Sequence, residues 1–167
     1  MNKIQPYIFL DIDGVLTLER QMNSNPKKWN KEYNRYSFDI KCVKVLNQII
    51  EIINPIIIIT SDWKDDYTIK QMNRIFELNK VNSKVTDYTD SLWGVEFKDS
   101  STELEICRAT EILNYVNKND ISIYIAVDDL NLKPWIHDNF IHTPRISEGI
   151  KQYNIKEKII TKLNNTN

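Results

Sequence analysis

Tyr7-Ile-Phe-Leu-Asp11-Ile-Asp13-Gly14-Val15-Leu16 is the stretch whose reading decides the fold: a short apolar run flows into two acids two positions apart, then into a glycine. Two further segments repeat that logic. Pro55-Ile-Ile-Ile-Ile59 runs into Thr60-Ser61, and Ile121-Ser-Ile-Tyr-Ile-Ala-Val127 runs into Asp128-Asp129. Unbroken runs rich in β-branched residues read as strands buried on both faces, the pattern of a parallel sheet. Ligands of an open parallel sheet sit beyond the carboxyl ends of its strands. Four carboxylates and two hydroxyls therefore gather at one edge. That much negative charge calls for a cation, and all-oxygen donors suit Mg²⁺.

Working outward from the three strands (7–11, 55–60 and 121–127), the intervening chain reads as helix. Asp39 is a natural N-cap for a helix over 40–53 with Val43, Leu46, Ile50 and Ile53 on one face, and Asn54-Pro55 ends it. A second helix is expected over 65–79, with Ile69, Met72 and Phe76 inward. A short strand at 83–87 and a loop over 88–100 containing Trp93-Gly94 follow. Thr102 and Glu105 form the Thr-x-x-Glu signature of a capping box for a helix to 117. A weaker strand at 139–143 and a helix over 148–163 complete the pattern. Residues 14–38, polar and aromatic, are expected to be an irregular flap or small cap. Strand alternating with helix predicts an α/β fold, a parallel sheet with helices on both faces. A chain of 167 residues is expected to form a single domain over 1–163 with a frayed tail at 164–167.

Bulk properties narrow the function classes. Net charge is −1, with 41% apolar and 27% charged residues, so there is no global electrostatic pull toward nucleic acid or membranes. Cys42 and Cys107 lack metal-ligand spacing and read as free thiols of a reducing compartment. His137 and His142 have no cysteine partners nearby, so no zinc site is expected. No apolar stretch approaches the ~20 residues needed to span a bilayer, and the N-terminus has no signal-peptide core. A cytoplasmic protein without membrane contact is the expectation. Three glycines in the whole chain exclude a Gly-rich phosphate loop.

The chemistry follows from residue types. Asp11 is the candidate nucleophile, attacking phosphorus to form an aspartyl-phosphate. Asp13 is the candidate acid/base, protonating the leaving oxygen and later deprotonating water. Division of labour between two carboxylates requires environments that separate their pKa values. Asp11, Asp13, Asp128 and Asp129 are the candidate Mg²⁺ ligands. Thr60 and Ser61 offer donors to phosphoryl oxygens, Ser61, Gly14 and Lys64 are the candidate substrate-binding residues, and Gly14 frees the backbone to turn. A transferring phosphoryl group needs positive charge on its equatorial oxygens. Arg108 is the candidate, with Lys98 and Lys64 in reserve. Each group also has a purely structural reading: a solvated turn, an Asp-rich strand cap, a helix N-cap, or a surface arginine paired with Glu105 or Glu111.

Asp-Ile-Asp-Gly-Val-Leu, then Thr-Ser after the second strand, a basic residue before the fourth, and Asp-Asp after it resemble the four motifs of the haloacid dehalogenase (HAD) superfamily. Ile59-Thr-Ser-Asp-Trp-Lys64 and Arg108-Ala-Thr-Glu-Ile112 are similar to the Ser-Ser-Trp-Arg and Arg-x-x-Glu-Ile patterns of the small HAD domains of Swiss-Army-Knife RNA repair proteins. Asp62 and Lys64 stand where that pattern has Ser and Arg. The resemblance implies a three-layer Rossmannoid fold with sheet order 3-2-1-4-5. It also implies Asp11 as nucleophile, Asp13 as acid/base, and Asp128 as metal ligand with Asp129 assisting. It implies a phosphomonoester hydrolase whose selectivity comes from a cap. Neither insert here is large, so the expectation is an open site that admits a macromolecular phosphate such as a nucleic-acid end, or else a site covered by an oligomer partner; the expected ligand is a phosphorylated small molecule or a nucleic-acid end. Trp29, Tyr33, Tyr36 and Phe38, interleaved with Lys27, Lys28 and Lys31, either stack a base or pack the flap onto the body. Two rival classes are a catalytically silent binding or regulatory module on the same scaffold and a phosphorelay receiver. A receiver's phosphorylated Asp ends the third strand rather than the first.

Overall fold

The computed structural model describes residues 4–20, 29–92 and 101–164. Lys27, Lys28, Trp93, Gly94, Lys98 and the tail from 165 onward lie outside the described residues.

Five strands form one sheet: β1 (Tyr7–Leu10), β4 (Ile56–Ile59), β5 (Val85–Tyr88), β6 (Tyr124–Asp128) and β7 (Phe140–His142). Their order is β5-β4-β1-β6-β7, with every pair parallel. Counting these strands in chain order gives 3-2-1-4-5, as the motif resemblance implies. In register, Leu10 lies between Ile59 and Val127. The ladder continues past the strand ends, where Asp11 N–H donates to the Val127 carbonyl at 3.0 Å and Thr60 N–H to the Leu10 carbonyl at 3.1 Å. Asp11, Thr60 and Asp128 therefore leave the sheet at one level.

Successive strand residues face opposite sides, and the core splits accordingly. Ile8, Leu10, Ile57, Ile59, Ile125 and Val127 pack against α1 (Ile40–Ile53), α3 (Ile69–Leu78) and α6 (Ile155–Asn164). Phe9, Ile58 and Ala126 pack against α4 (Ser101–Lys118) and α5 (Lys133–Ile136). Fully burying one such side chain contributes about 1.5–3 kcal/mol, so the edge that carries the acids is a rigid platform. No described helix is long and apolar enough to cross a membrane.

Helix α1 begins and ends where its cap and breaker predict: the Asp39 carboxylate accepts from Lys41 and Cys42 N–H, and Asn54 closes it in the left-handed region at φ 51°. Other elements differ from expectation, each for a local reason. The helix expected over 65–79 is two pieces, α2 (Trp63–Asp66) and α3. Tyr67 is extended between them, and Thr68 with Gln71 forms a full capping box that restarts the helix. Thr102 lies inside α4 rather than capping it, and Glu105 instead accepts from Asn131 N–H at 3.2 Å. The last helix is preceded by a separate 3₁₀ turn (Gly149–Lys151), because Gly149 and Asn154 sit at positive φ. Within the segment 14–38, read as irregular, β2 (Trp29–Asn30) and β3 (Arg35–Tyr36) pair antiparallel.

Candidate active site

The strand ends bring three acids together. Asp11, Asp128 and Asp129 each present a carboxylate oxygen within 4.8 Å of the others. Arg108 reaches them from α4, whose neighbours Ala109 and Ile112 are packed on the sheet and so turn this side of the helix inward. Its Nη1 donates to Asp11 Oδ1 at 3.1 Å and to Asp128 Oδ2 at 2.9 Å, and its Nη2 donates to Asp62 Oδ1 at 2.8 Å. Asp128 Oδ1 also accepts from Leu130 N–H at 2.9 Å. Asp129 Oδ2 accepts from Arg145 Nη1 at 3.1 Å, and Arg145 Nε continues to Glu19 at 2.6 Å.

Burial governs the electrostatics. Asp11 and Asp128 are 4% and 1% exposed. Desolvation, then repulsion from Asp128, pushes the Asp11 carboxyl well above the ordinary carboxylate range, against the opposing pull of Arg108. Desolvation raises Asp128 as well, with Arg108 again opposing. Asp129 is pushed up to about 6, chiefly by burial and then by Asp11. Burial alone would lower the Arg108 guanidinium, yet Asp128, Asp11 and Asp62 outweigh it and hold the group charged. Three acids whose protons are retained chiefly because burial disfavours their charge are suited to trading them for a divalent ion. The donors are oxygens only, which fits Mg²⁺. Thr60 Oγ1 is buried with no hydrogen-bond partner among the described residues, a further polar atom whose satisfaction awaits a ligand.

The remaining expected residues are distributed as follows. Asp13's side chain is not in the converging group, because its two oxygens are taken: Trp63 Nε1 donates to Oδ2 at 2.9 Å and Thr17 Oγ1 to Oδ1 at 2.7 Å. Gly14 has φ +77°, and a Cβ there would lie 2.5 Å from Asp129 Cγ. Its contribution is close backbone approach to the acids, and its N–H is already bonded to the Thr17 carbonyl. Ser61 lines a cavity of about 260 Å³ together with Asp11, Asp13, Arg108 and Asp129. Lys64, expected to bind substrate, lines neither the cavity over the acids nor its neighbour. It is buried against Glu111 at 2.5 Å and donates to Thr89 Oγ1 and the Thr60 carbonyl, so it braces the strand end from behind. Sequence reasoning missed Trp63, Thr17 and Arg145 as partners of the acids. Trp63 and Asp62 stand in the quoted Ile59-Thr-Ser-Asp-Trp-Lys64 stretch, which could have flagged them, and nothing in the spacing marks Arg145.

A second, larger cavity of about 770 Å³ opens between the β2–β3 hairpin and the body. Asp13 and Arg145 line both cavities, so the two adjoin. The flap aromatics differ in burial. Tyr33 and Phe38 are buried, with Phe38 packed on the rings of Trp63 and Phe76. Trp29 is 42% exposed and meets Tyr36 edge-on at 5.1 Å on the cavity wall.

A parallel sheet of this order, with its acids converging at the carboxyl edge beneath an arginine, defines a HAD-like domain. More narrowly, the family described as the HAD domain in Swiss Army Knife RNA repair proteins matches residues 7–155, and the chain belongs to it. No curated protein and no solved structure matches the chain. Membership carries a hydrolase-like function at the level of the family, and the buried acid cluster is compatible with metal binding.

Proposed function

We propose that this chain is a Mg²⁺-dependent phosphomonoester hydrolase that works through an aspartyl-phosphate on Asp11, with a nucleotide or a nucleic-acid end phosphate as substrate. The observation that carries the reading is the convergence of Asp11, Asp128 and Asp129 within 4.8 Å beneath the Arg108 guanidinium. Asp11, Asp128 and Asp129 are the side chains that would hold the ion, which supplies charge neutralisation at the phosphoryl group and at Asp11. An Asp11 oxygen attacks phosphorus as the bond to the ester oxygen breaks. Asp13, in its acid form, delivers a proton to that departing oxygen. In the second half-reaction Asp13 takes a proton from water as the water oxygen attacks the same phosphorus. Inorganic phosphate leaves and the Asp11 carboxylate is regenerated. Arg108 stabilises charge on the phosphoryl oxygens, and Thr60 Oγ1 has a donor free for one of them. Trp63 and Thr17 hold Asp13 where the two cavities adjoin. Phosphate monoesters are so inert that enhancements reach ~10²¹-fold, which requires these roles to act together.

The test is Mg²⁺-dependent phosphate release from p-nitrophenyl phosphate, with loss of turnover in Asp11→Asn. Absence of turnover in a folded, Mg²⁺-binding chain rejects the hydrolase and leaves the silent binding module in its place.

A further inference from the structure

We infer that the cavity beneath the β2–β3 hairpin is a ring-binding subsite that selects a single nucleotide bearing one phosphate; the inference rests on the phosphohydrolase reading of the adjoining acids. Three observations carry it. The cavity adjoins the smaller one over the acid cluster, sharing Asp13 and Arg145 with it, so the organic part of an ester held below Arg108 has this space open to it. Its volume, about 770 Å³, is that of a small-molecule site. Its wall carries a half-open indole: Trp29 is 42% exposed, although the neighbouring Tyr33 and Phe38 are spent on packing. Such a face stacks a flat heteroaromatic ring without regard to which base it is.

Charge then decides between one nucleotide and a chain of them. The described lining holds Asp13, Glu19, Glu32 and Asp66 against only Arg35 and Arg145. Both arginines are already engaged: Arg35 bonds Asp66 and lies 5.1 Å from the Trp63 ring centroid, and Arg145 bonds Glu19 and Asp129. Arg74 likewise bonds Glu32. Polynucleotide sites instead line the backbone path with cations. Among the described lining residues carboxylates outnumber cations, so a second phosphate meets no cation there that is not already paired.

The experiment compares kcat/KM of the full chain with Mg²⁺ for a nucleoside 5′-monophosphate, ribose 5-phosphate, and an oligonucleotide ending in the same 5′-phosphate. Stacking of the usual size predicts a ~5- to ~150-fold preference for the mononucleotide over ribose 5-phosphate, falling below ~3-fold in Trp29→Ala and retained in Trp29→Phe. The mononucleotide is also expected to exceed the oligonucleotide. Calorimetry adds a readout without turnover: the unphosphorylated nucleoside binds Asp11→Asn, and more weakly when Trp29→Ala is added. A ratio unchanged by Trp29→Ala, or an oligonucleotide turned over better than the mononucleotide, overturns the inference. Nucleoside binding that depends on Trp29 in a chain that hydrolyses no ester supports the subsite while it overturns the hydrolase.

Discussion

Arg108 has both terminal nitrogens committed to carboxylates, and only one of those partners is readily displaced. Asp11 and Asp128 are buried, whereas the Asp62 side chain is 60% exposed and bonds Nη2 from the solvent side. An incoming phosphoryl group must compete with Asp62 for that nitrogen. With one partner this open to water the pair is screened, and its worth is taken near the ~0.2–1 kcal/mol of exposed pairs. Asp62→Asn is therefore expected to tighten inorganic phosphate binding by about 2- to 5-fold, read by calorimetry on the Mg²⁺-loaded chain. Weaker binding would mean that Asp62 serves to hold the guanidinium in position. Gly14 sits under a different constraint. Alanine there meets both the positive φ of +77° and the Asp129 side chain 2.5 Å away. Left-handed strain at a non-glycine residue costs about 1–3 kcal/mol, and the clash displaces a member of the acid cluster. Gly14→Ala is expected to lower the melting temperature and also to shrink the further rise produced by Mg²⁺. A variant with lower stability but an undiminished Mg²⁺ response would separate the turn from the site.

At the scale of elements, the Lys64–Glu111 pair ties α2 to α4 across the site's back wall. Both side chains are 2% exposed, and Glu111 also accepts from Leu92 N–H at 2.9 Å. Removing one partner of a buried pair strands the other charge and costs about 3–5 kcal/mol, whereas apolar replacement of both is close to neutral. Lys64→Met should destabilise by that amount in urea unfolding, and Lys64→Met with Glu111→Leu should recover most of it. Equal losses in the two variants would mean that the pair's worth lies in its bonds to Thr89 and Leu92. This pair also marks the limit of what sequence could reveal. The sheet was readable because strands buried on both faces leave unbroken apolar runs, and α1 because Asp39 and Asn54 punctuate it. The acids were readable because they terminate those runs. Lys64 reads as substrate-binding in the sequence because a charged residue next to Thr60-Ser61 looks catalytic, while its burial depends on a partner 47 positions away. The β2–β3 hairpin, with two residues per strand, is too short for any periodicity. Arg145 joins the site only because Thr143 N–H bonds the Asp128 carbonyl and so brings the chain after β7 alongside Asp129.

Across the whole molecule, the acid cluster couples stability to pH and to Mg²⁺ with a definite sign. Asp11, Asp128 and Asp129 all have carboxyl pKa values raised above the unfolded range in the folded, ion-free chain. Below about pH 4 both states hold these protons and nothing is lost. As pH rises, the unfolded chain releases its protons first, so the folded state binds more of them and the stability of the ion-free chain falls. The decline runs from the ordinary carboxylate range up through about 6 for Asp129 and higher for Asp11. Mg²⁺ must displace the same protons, so its apparent affinity climbs through the same window, and ligand binding to the folded state alone adds stability by mass action. The melting-temperature gain from a fixed Mg²⁺ concentration is thus expected to be small near about pH 5 and to grow toward about pH 8. Asp128→Asn should flatten that dependence, since it removes one buried proton site and one ion ligand together. A Mg²⁺ gain independent of pH, or one that survives Asp128→Asn unchanged, would place the ion elsewhere on the molecule and remove the electrostatic basis for chemistry at Asp11.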